Sequence, residues 1–311
     1  MKISEILGIE YPFIQGGMAN IATGEFAAAV SNAGALGLIA AGGMSPDTLR
    51  SEIRKCRDLT DKPFGVNIML MHPQLDEIAD IVTEENVKVV TTGAGNPAAY
   101  IERWKKAGIK IFPVVPSVGL ARRMEKYGVD GVIAEGTESG GHVGELTTMA
   151  LVPQVVGAVS IPVIAAGGIA SGKQILAASA LGACGVQMGT VFLASEECPI
   201  HENYKNAIVK ASDIDTVVTG RTTGAPVRVI KNQMAREYIK MESQALPRDE
   251  LEKLTLGSLR RAVFDGDTKT GSLMAGQVCG MINSIRPVRR ILEDLYREYE
   301  EELKRVEADR L

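Results

Sequence analysis

Short runs of apolar residues, rich in Val and Ile, recur along the chain with helix-like segments between them. These runs predict strands at Phe13–Gln15, Leu36–Ala40, Phe64–Ile68, Val87–Thr91, Lys110–Val115, Gly131–Glu135, Pro162–Ala166 and Gly185–Met188. Between them, apolar residues at helical spacing predict helices at Glu25–Asn32, Pro46–Arg57, Gln74–Glu84, Pro97–Lys106, Val118–Tyr127 and Gly172–Leu181. Ser45 and Ser171 stand where N-caps belong, and Pro46 takes the first-turn position. The strand runs are nearly all apolar rather than alternating, which suits parallel strands covered on both faces. Successive strands begin about 25 residues apart, the length of a strand–loop–helix unit, and eight such units fill about 195 residues. The pattern predicts an α/β fold, a (β/α)8 TIM barrel. An open doubly wound sheet is the competing arrangement.

After Ala194 the rhythm stops. The following text is more polar and mostly helical, with a loop at Thr219–Pro226, and the chain closes with an acidic amphipathic helix at Pro287–Val306. The expected division is a barrel over residues 1–195 and a small, mostly helical lid or substrate domain over residues 196–281. The C-terminal helix (282–311) is expected to pack back on the barrel, and its charges need no function beyond a solvated face or an oligomer contact.

Composition narrows the class. In 311 residues, 45% hydrophobic and 23% charged with a net charge of −4, the chain has the make-up of a globular protein and lacks the basic surface of a general nucleic-acid binder. Cys56, Cys184, Cys198 and Cys279 are far apart and form no CxxC pair, so neither a zinc site nor a disulfide framework is indicated, and a reduced cytoplasm suits them. The N-terminus carries Glu5 and Glu10 and does not read as a signal peptide. The most membrane-like stretch, Met149–Ala170, is punctuated by Pro153, Gln154, Gly157 and Pro162 and reads as a helix followed by a buried strand rather than a span. What stands out is glycine, 33 of them, beside only 5% aromatics.

Most of the predicted strands run straight into glycine. Gly16–Gly17–Met18 follows the first, Gly42–Gly43 the second, Gly93–Ala94–Gly95 the fourth, Gly167–Gly168 the seventh and Gly189–Thr190 the eighth. In a barrel of this kind the chemistry sits on these loops, and the pair after strands seven and eight is the usual phosphate site. Glycine there lets backbone N–H groups approach a ligand, and a following helix start adds unpaired donors. Tight βα turns alone would explain one such loop; two on adjacent strands favour a phosphorylated ligand.

His142, one of three histidines, lies on the strand-six loop beside Gly140–Gly141. At the catalytic face it is a candidate acid, base or hydrogen-bond donor, with a structural role as the alternative. His72 and His201 sit in proline-containing loop text and read as surface residues. Asn67, ending strand three, is either a turn residue or a donor–acceptor for a planar ring.

The motifs YPFIQGGMA, FGVNIML, EGTESGGHVG, IPVIAAGGIASG and GVQMGTVFL, in this order, resemble those of the nitronate monooxygenase (2-nitropropane dioxygenase-like) and flavin-dependent enoyl-reductase superfamily. KVVTTGAGNP, FPVVPSV, DIDTVVTG, VRVIKNQ and SLMAGQVCG resemble its type II enoyl-[acyl-carrier-protein] reductase branch, and the resemblance spans almost the whole chain. It implies a barrel that holds FMN at its C-terminal mouth and a small domain that covers the substrate. Position by position, it implies Gly17 and Met18 beside the isoalloxazine and Asn67 on its polar edge. Glu135, Gly140 and Gly141 would meet the ring or ribityl chain, and Gly167, Gly168, Gln187, Met188, Gly189 and Thr190 would hold the phosphate. His142 matches the family's active-site histidine.

The implied reaction takes hydride from NADH, or NADPH, through the flavin to the β-carbon of a trans-2-enoyl thioester in bacterial fatty-acid elongation. His142 and loop amides would stabilise the charge on the thioester oxygen. The implied partners are an acyl carrier protein and a second copy of the chain as a homodimer, with no nucleic acid and no membrane. Relatives have been associated with a monovalent cation; no ligand set for one stands out from residue types here. The acyl carrier is acidic, and residues 201–240 hold seven basic against four acidic side chains, Arg228 and Lys231 among the basic ones. That surplus reads as a steering patch or as an ordinary charged surface. Two rival functions remain: nitronate monooxygenase, with the same fold, flavin and histidine, and a flavin-free phosphate-binding barrel.

Overall fold

A computed structural model of the chain describes residues 2–309. Nine strands belong to its first part: β1 (Phe13–Gln15), β2 (Gly37–Ala40), β3 (Phe64–Met69), β4 (Val89–Gly93), β5 (Lys110–Val115), β6 (Val132–Glu135), β7 (Gly141–His142), β8 (Val163–Ala166) and β9 (Gly185–Met188). All but β7 pair in parallel, in the order β1-β9-β8-β6-β5-β4-β3-β2. The ring closes where Ile14 bridges Leu36 and the Gln15 amide donates to the Leu36 carbonyl at 2.9 Å. At this seam Gln15 Oε1 accepts from the Leu38 amide at 3.2 Å, a side chain standing in for a ladder bond. The closed order rules out the open sheet and gives the (β/α)8 barrel.

Local chemistry explains the helices between the strands. Ser45 Oγ accepts from the Thr48 amide with Pro46 in the first turn, and Ser171 Oγ accepts from Gln174, so both anticipated caps are present. The helix Thr148–Val156 instead takes its cap from outside: Glu138 accepts from the Thr148 amide and hydroxyl at 2.9 Å.

Strand alternation sorts the interior into layers. Ile14, Leu36, Leu38, Val89, Phe112, Ile133 and Ile164 fill the barrel, closed below by Ile3 and Leu7 of the N-terminal helix. The opposite strand faces, such as Val66, Val90, Ile111, Val132 and Val186, pack beneath the helices. The segment after the barrel contributes Ile200, Tyr204, Ile208, Ile230 and Ala262 to that same outer core. Its helices are Glu202–Val209, Gln233–Ser243, Arg248–Thr255 and Ser258–Phe264. It also holds a hairpin of β10 (Thr216–Thr219) and β11 (Val227–Ile230), which the helical reading of this segment did not anticipate. Four-residue strands such as TVVT and VRVI are too short to show a period that separates them from a buried helix turn. β11 pairs with β7, so the hairpin adds an antiparallel sheet across the loop that follows β6.

The final helix, Val288–Ala308, packs along the helix Gly172–Ala180, where Gly172 lies against the backbone of Glu298 and Tyr299. Val288, Ile291, Leu292 and Leu295 form its buried stripe, and the Tyr296 ring lies tilted against Tyr11 with centroids 5.1 Å apart. Among the described residues no helix is long and apolar enough to cross a membrane.

Candidate active site at the barrel mouth

The residues that face into the barrel change character from bottom to top. Register places Ala40, Asn67, Thr91 and Phe112 abreast on one side of the ring. On the other side it aligns Glu135, Ala166 and Gln187. The upper layer therefore carries Asn67, Thr91, Glu135 and Gln187 above the apolar filling. Four polar side chains converging inside a barrel need partners, and they find few in the protein. Asn67 Nδ2 donates to Thr91 Oγ1 at 2.9 Å, which leaves its Oδ1 for a ligand. Gln187 Oε1 is buried and has no partner among the described residues.

Glu135 sits deep in the molecule with no cation beside it, and desolvation pushes its carboxyl up to about 7. The Ser139 hydroxyl opposes this only in part, since it lies near the carboxyl without reaching hydrogen-bond geometry.

The loops complete the rim. A Cβ on Gly17 would fall 2.2 Å from Asn67 Cγ, so only glycine lets the first loop close over that amide. Gly16 lies against Gly189, and Met18 Sδ stands 3.8 Å from where a Gly189 Cβ would be. Gly167 and Gly168 both take positive φ, 91° and 71°, a conformation that turns successive amides toward one side. Among the described residues the amides of Gly167, Gly168 and Gly189 donate to no protein acceptor.

His142 stands on β7, paired with Val227 of β11, and the Val143 amide donates to the Pro226 carbonyl at 3.1 Å. It is open to solvent on one side, and partial loss of hydration lowers its pKa below the ordinary 6.5. At neutral pH it is an uncharged imidazole with one N–H to donate. Gly140 packs against the Ala275–Gly276 backbone, and Gly276 N donates to Thr190 Oγ1 at 2.9 Å.

Three expectations change. The helix start after β8 offers fewer bare donors than its text suggests: Glu298 takes the Gly172 amide at 2.7 Å, Ser171 takes Gln174, and Gln174 Oε1 takes Ala170. Among the described residues the amides of Gly167, Gly168, Gly189 and Thr190 stay free for an anion there. Gln187 points inward beside Glu135 and Ala166 rather than toward that cradle, and the Met188 side chain turns into the outer core, its carbonyl accepting from Gly16. Finally, Arg228 is a buried residue and no part of an exposed patch; Lys205 is buried too, its Nζ donating to the Glu196 carbonyl at 3.1 Å.

Sequence reasoning missed Thr91, Glu138 and Glu298. Thr91 carries a signal in retrospect, being the inward member of its strand opposite Asn67. Glu138 and Glu298 carry none, because each acts on a helix that only the fold brings near.

The model of the family described as nitronate monooxygenase matches residues 1–84 and 76–298. A probable nitronate monooxygenase of Staphylococcus saprophyticus is 36% identical over 323 aligned positions, covering 89% of this chain and 91% of that protein. FabK from Thermotoga maritima is similar in structure with a TM-score of 0.96 and 51% identity, covering 99% of this chain and 98% of that one. A nitroalkane oxidase from Streptomyces ansochromogenes aligns with a TM-score of 0.87 and 29% identity, over 98% of this chain and 100% of that one.

Proposed function

Because the chain belongs to the nitronate monooxygenase family, a family of flavin-dependent oxidoreductases, we propose that it is an FMN-dependent enoyl-[acyl-carrier-protein] reductase that uses NADH or NADPH. The observation that carries the choice within the family is the likeness to FabK through the whole chain, at 51% identity against 29% for the nitroalkane oxidase. FabK belongs to the reductase branch that the sequence motifs resemble.

The residues at the mouth fit such a cofactor. The orphaned Gln187 Oε1 and the free Asn67 Oδ1 are acceptors for ring or ribityl donors. The Gly167, Gly168 and Gly189 amides suit a phosphate without any lysine. Gly17 and Met18 line the rim between them. When bound, the flavin supplies hydride transfer from the dinucleotide to the unsaturated thioester.

The chain's own part is position and electrostatics. His142 presents an uncharged N–H at the open side of the mouth, suited to the oxygen on which charge develops. Amides of the Gly140–Gly141 turn stand beside it. We assign residues 1–195 to holding the cofactor and residues 196–281 to covering an acyl-carrier-bound substrate, with β11 reaching across to the His142 loop.

Anaerobic mixing tests the reading. Bleaching of a yellow protein by NADH, followed by reoxidation with a crotonyl thioester, supports the reductase. Reoxidation by oxygen alone with turnover of a nitroalkane supports the monooxygenase, and a colourless protein that FMN does not reconstitute overturns both. His142→Ala should keep bound flavin and lose on the order of 10²–10³ in the enoyl-dependent step; full activity in that variant removes His142 from the mechanism. A rate that falls as pH rises through the lowered His142 pKa marks imidazolium as the α-carbon proton donor, whereas a flat profile assigns it an orienting role.

A further inference from the structure

Arg228 is 6% exposed, and no carboxylate among the described residues lies within ion-pair distance of it. Its Nε and Nη2 donate to the Thr137 carbonyl at 3.2 and 3.0 Å, and its Nη1 donates to Thr216 Oγ1 at 3.1 Å. A buried guanidinium without a carboxylate carries a desolvation cost that an apolar residue in a lid strand would avoid. The place where that cost falls is informative. Thr137 opens the loop that ends in His142, and Arg228 itself pairs with Gly141, the residue before the histidine.

The loop is tied to its own chain at its start, where the Thr137 amide donates to the Leu146 carbonyl at 2.8 Å and Glu138 takes the Thr148 amide and hydroxyl, but its His142 end is not. β7 is two residues long, and a ladder of two pairs is marginal alone. Gly141 sits at φ 75° and adds no side chain. What fixes the His142 end is the hairpin: Val227 opposite His142, Arg228 opposite Gly141, the Pro226 carbonyl on Val143, and the Arg228 fork on Thr137. The Gln277 amide adds a bond to the Glu138 carbonyl at 2.9 Å.

We propose that Arg228 is a positioning residue for His142: its guanidinium fastens the lid strand to Thr137 and thereby sets where the histidine stands over the barrel mouth. Lid and catalytic loop then move as one body, and the His142-dependent step answers to the lid. The inference rests on the role given to His142 above, and the test separates the two.

A double-mutant cycle on the flavin-loaded enzyme reads the reoxidation step with the wild type, Arg228→Lys, His142→Ala and the double variant. Arg228→Lys keeps the charge and loses the planar fork. It should slow reoxidation about tenfold in the wild-type background and leave the His142→Ala rate unchanged within about twofold, because residues acting as a unit are non-additive. Flavin affinity and flavin reduction by NADH should stay within about twofold of wild type. Equal losses in both backgrounds, or no loss in the wild-type background, overturn the positioning role while leaving His142 in place. Full turnover in His142→Ala overturns both readings together. Should Arg228→Lys fail to fold, Thr216→Val removes one anchor only, and the same cycle is expected to show about a threefold loss confined to the His142 background.

Discussion

Glu85 and Glu135 are the same side chain in two settings. Glu85 sits near the periphery between the helices Pro46–Leu59 and Leu75–Glu84, covered by its own arginines. Arg50, Arg54 and Arg57 reach its carboxylate at 3.0, 2.7 and 3.2 Å, and together they hold its pKa down to about 2. Glu135 keeps some access to the barrel mouth, yet no cation faces it and its pKa rises to about 7. Desolvation raises both carboxyls; at Glu135 nothing cationic offsets it, whereas at Glu85 the arginines outweigh it. The outer cluster is complete within the protein and serves the fold. The inner layer, with Glu135, Gln187 and Asn67 under-satisfied, is complete only with a ligand.

Replacing Glu135 makes the largest test of that contrast. A carboxyl whose pKa is raised from 4.5 to about 7 favours the folded state most when protonated, so its contribution falls as pH rises through that window. Full burial would make the span roughly 3 kcal/mol, and the remaining access to the mouth reduces it to about 2 kcal/mol. Urea melts of flavin-stripped protein at pH 5.5 and 8 should therefore show Glu135→Gln gaining on wild type at the higher pH. A difference that is the same at both values breaks the comparison.

Glu85→Gln should act in the opposite sense. Leaving three arginines without their shared charge is expected to cost about 1–3 kcal/mol near neutral pH. The wild-type advantage should disappear as pH falls from 4.5 through about 2, the window in which the carboxylate protonates. Flavin affinity should not change; a loss of flavin would tie the outer cluster to the site.

Glu298→Gln is the smallest. The Gly172 amide loses a charged acceptor at a helix start, worth about 0.5–1 kcal/mol of stability. Flavin affinity should again be unaltered. Weakened or strengthened FMN binding in a fluorescence titration would tie the Gly172 amide to the phosphate site.

Much of this was legible in the linear text because it rests on local rules. The eight barrel strands lie within about two residues of where the apolar runs place them, since a parallel strand buried on both faces must be apolar throughout. Ser45 and Ser171 cap because capping needs only a side chain and an amide three residues on. The glycine loops and Asn67 could be placed at one face because every strand of such a barrel points the same way.

Other features depend on neighbours far away in sequence. Arg228 and Lys205 count as surface charge in composition, and only packing shows them buried. Gln187 and Met188 are adjacent, yet strand pleating sends one into the barrel and the other into the outer core. The hairpin of β10 and β11, which carries Arg228 and pairs with His142, left no period long enough to read. Sequence by itself determined the barrel, the end at which its glycine loops gather and the residue types found there, because periodicity and turn chemistry are local. Tertiary structure alone decided which of those groups are already satisfied by the protein and which still face a ligand, because hydrogen-bond partners and burial are set by contacts between distant segments.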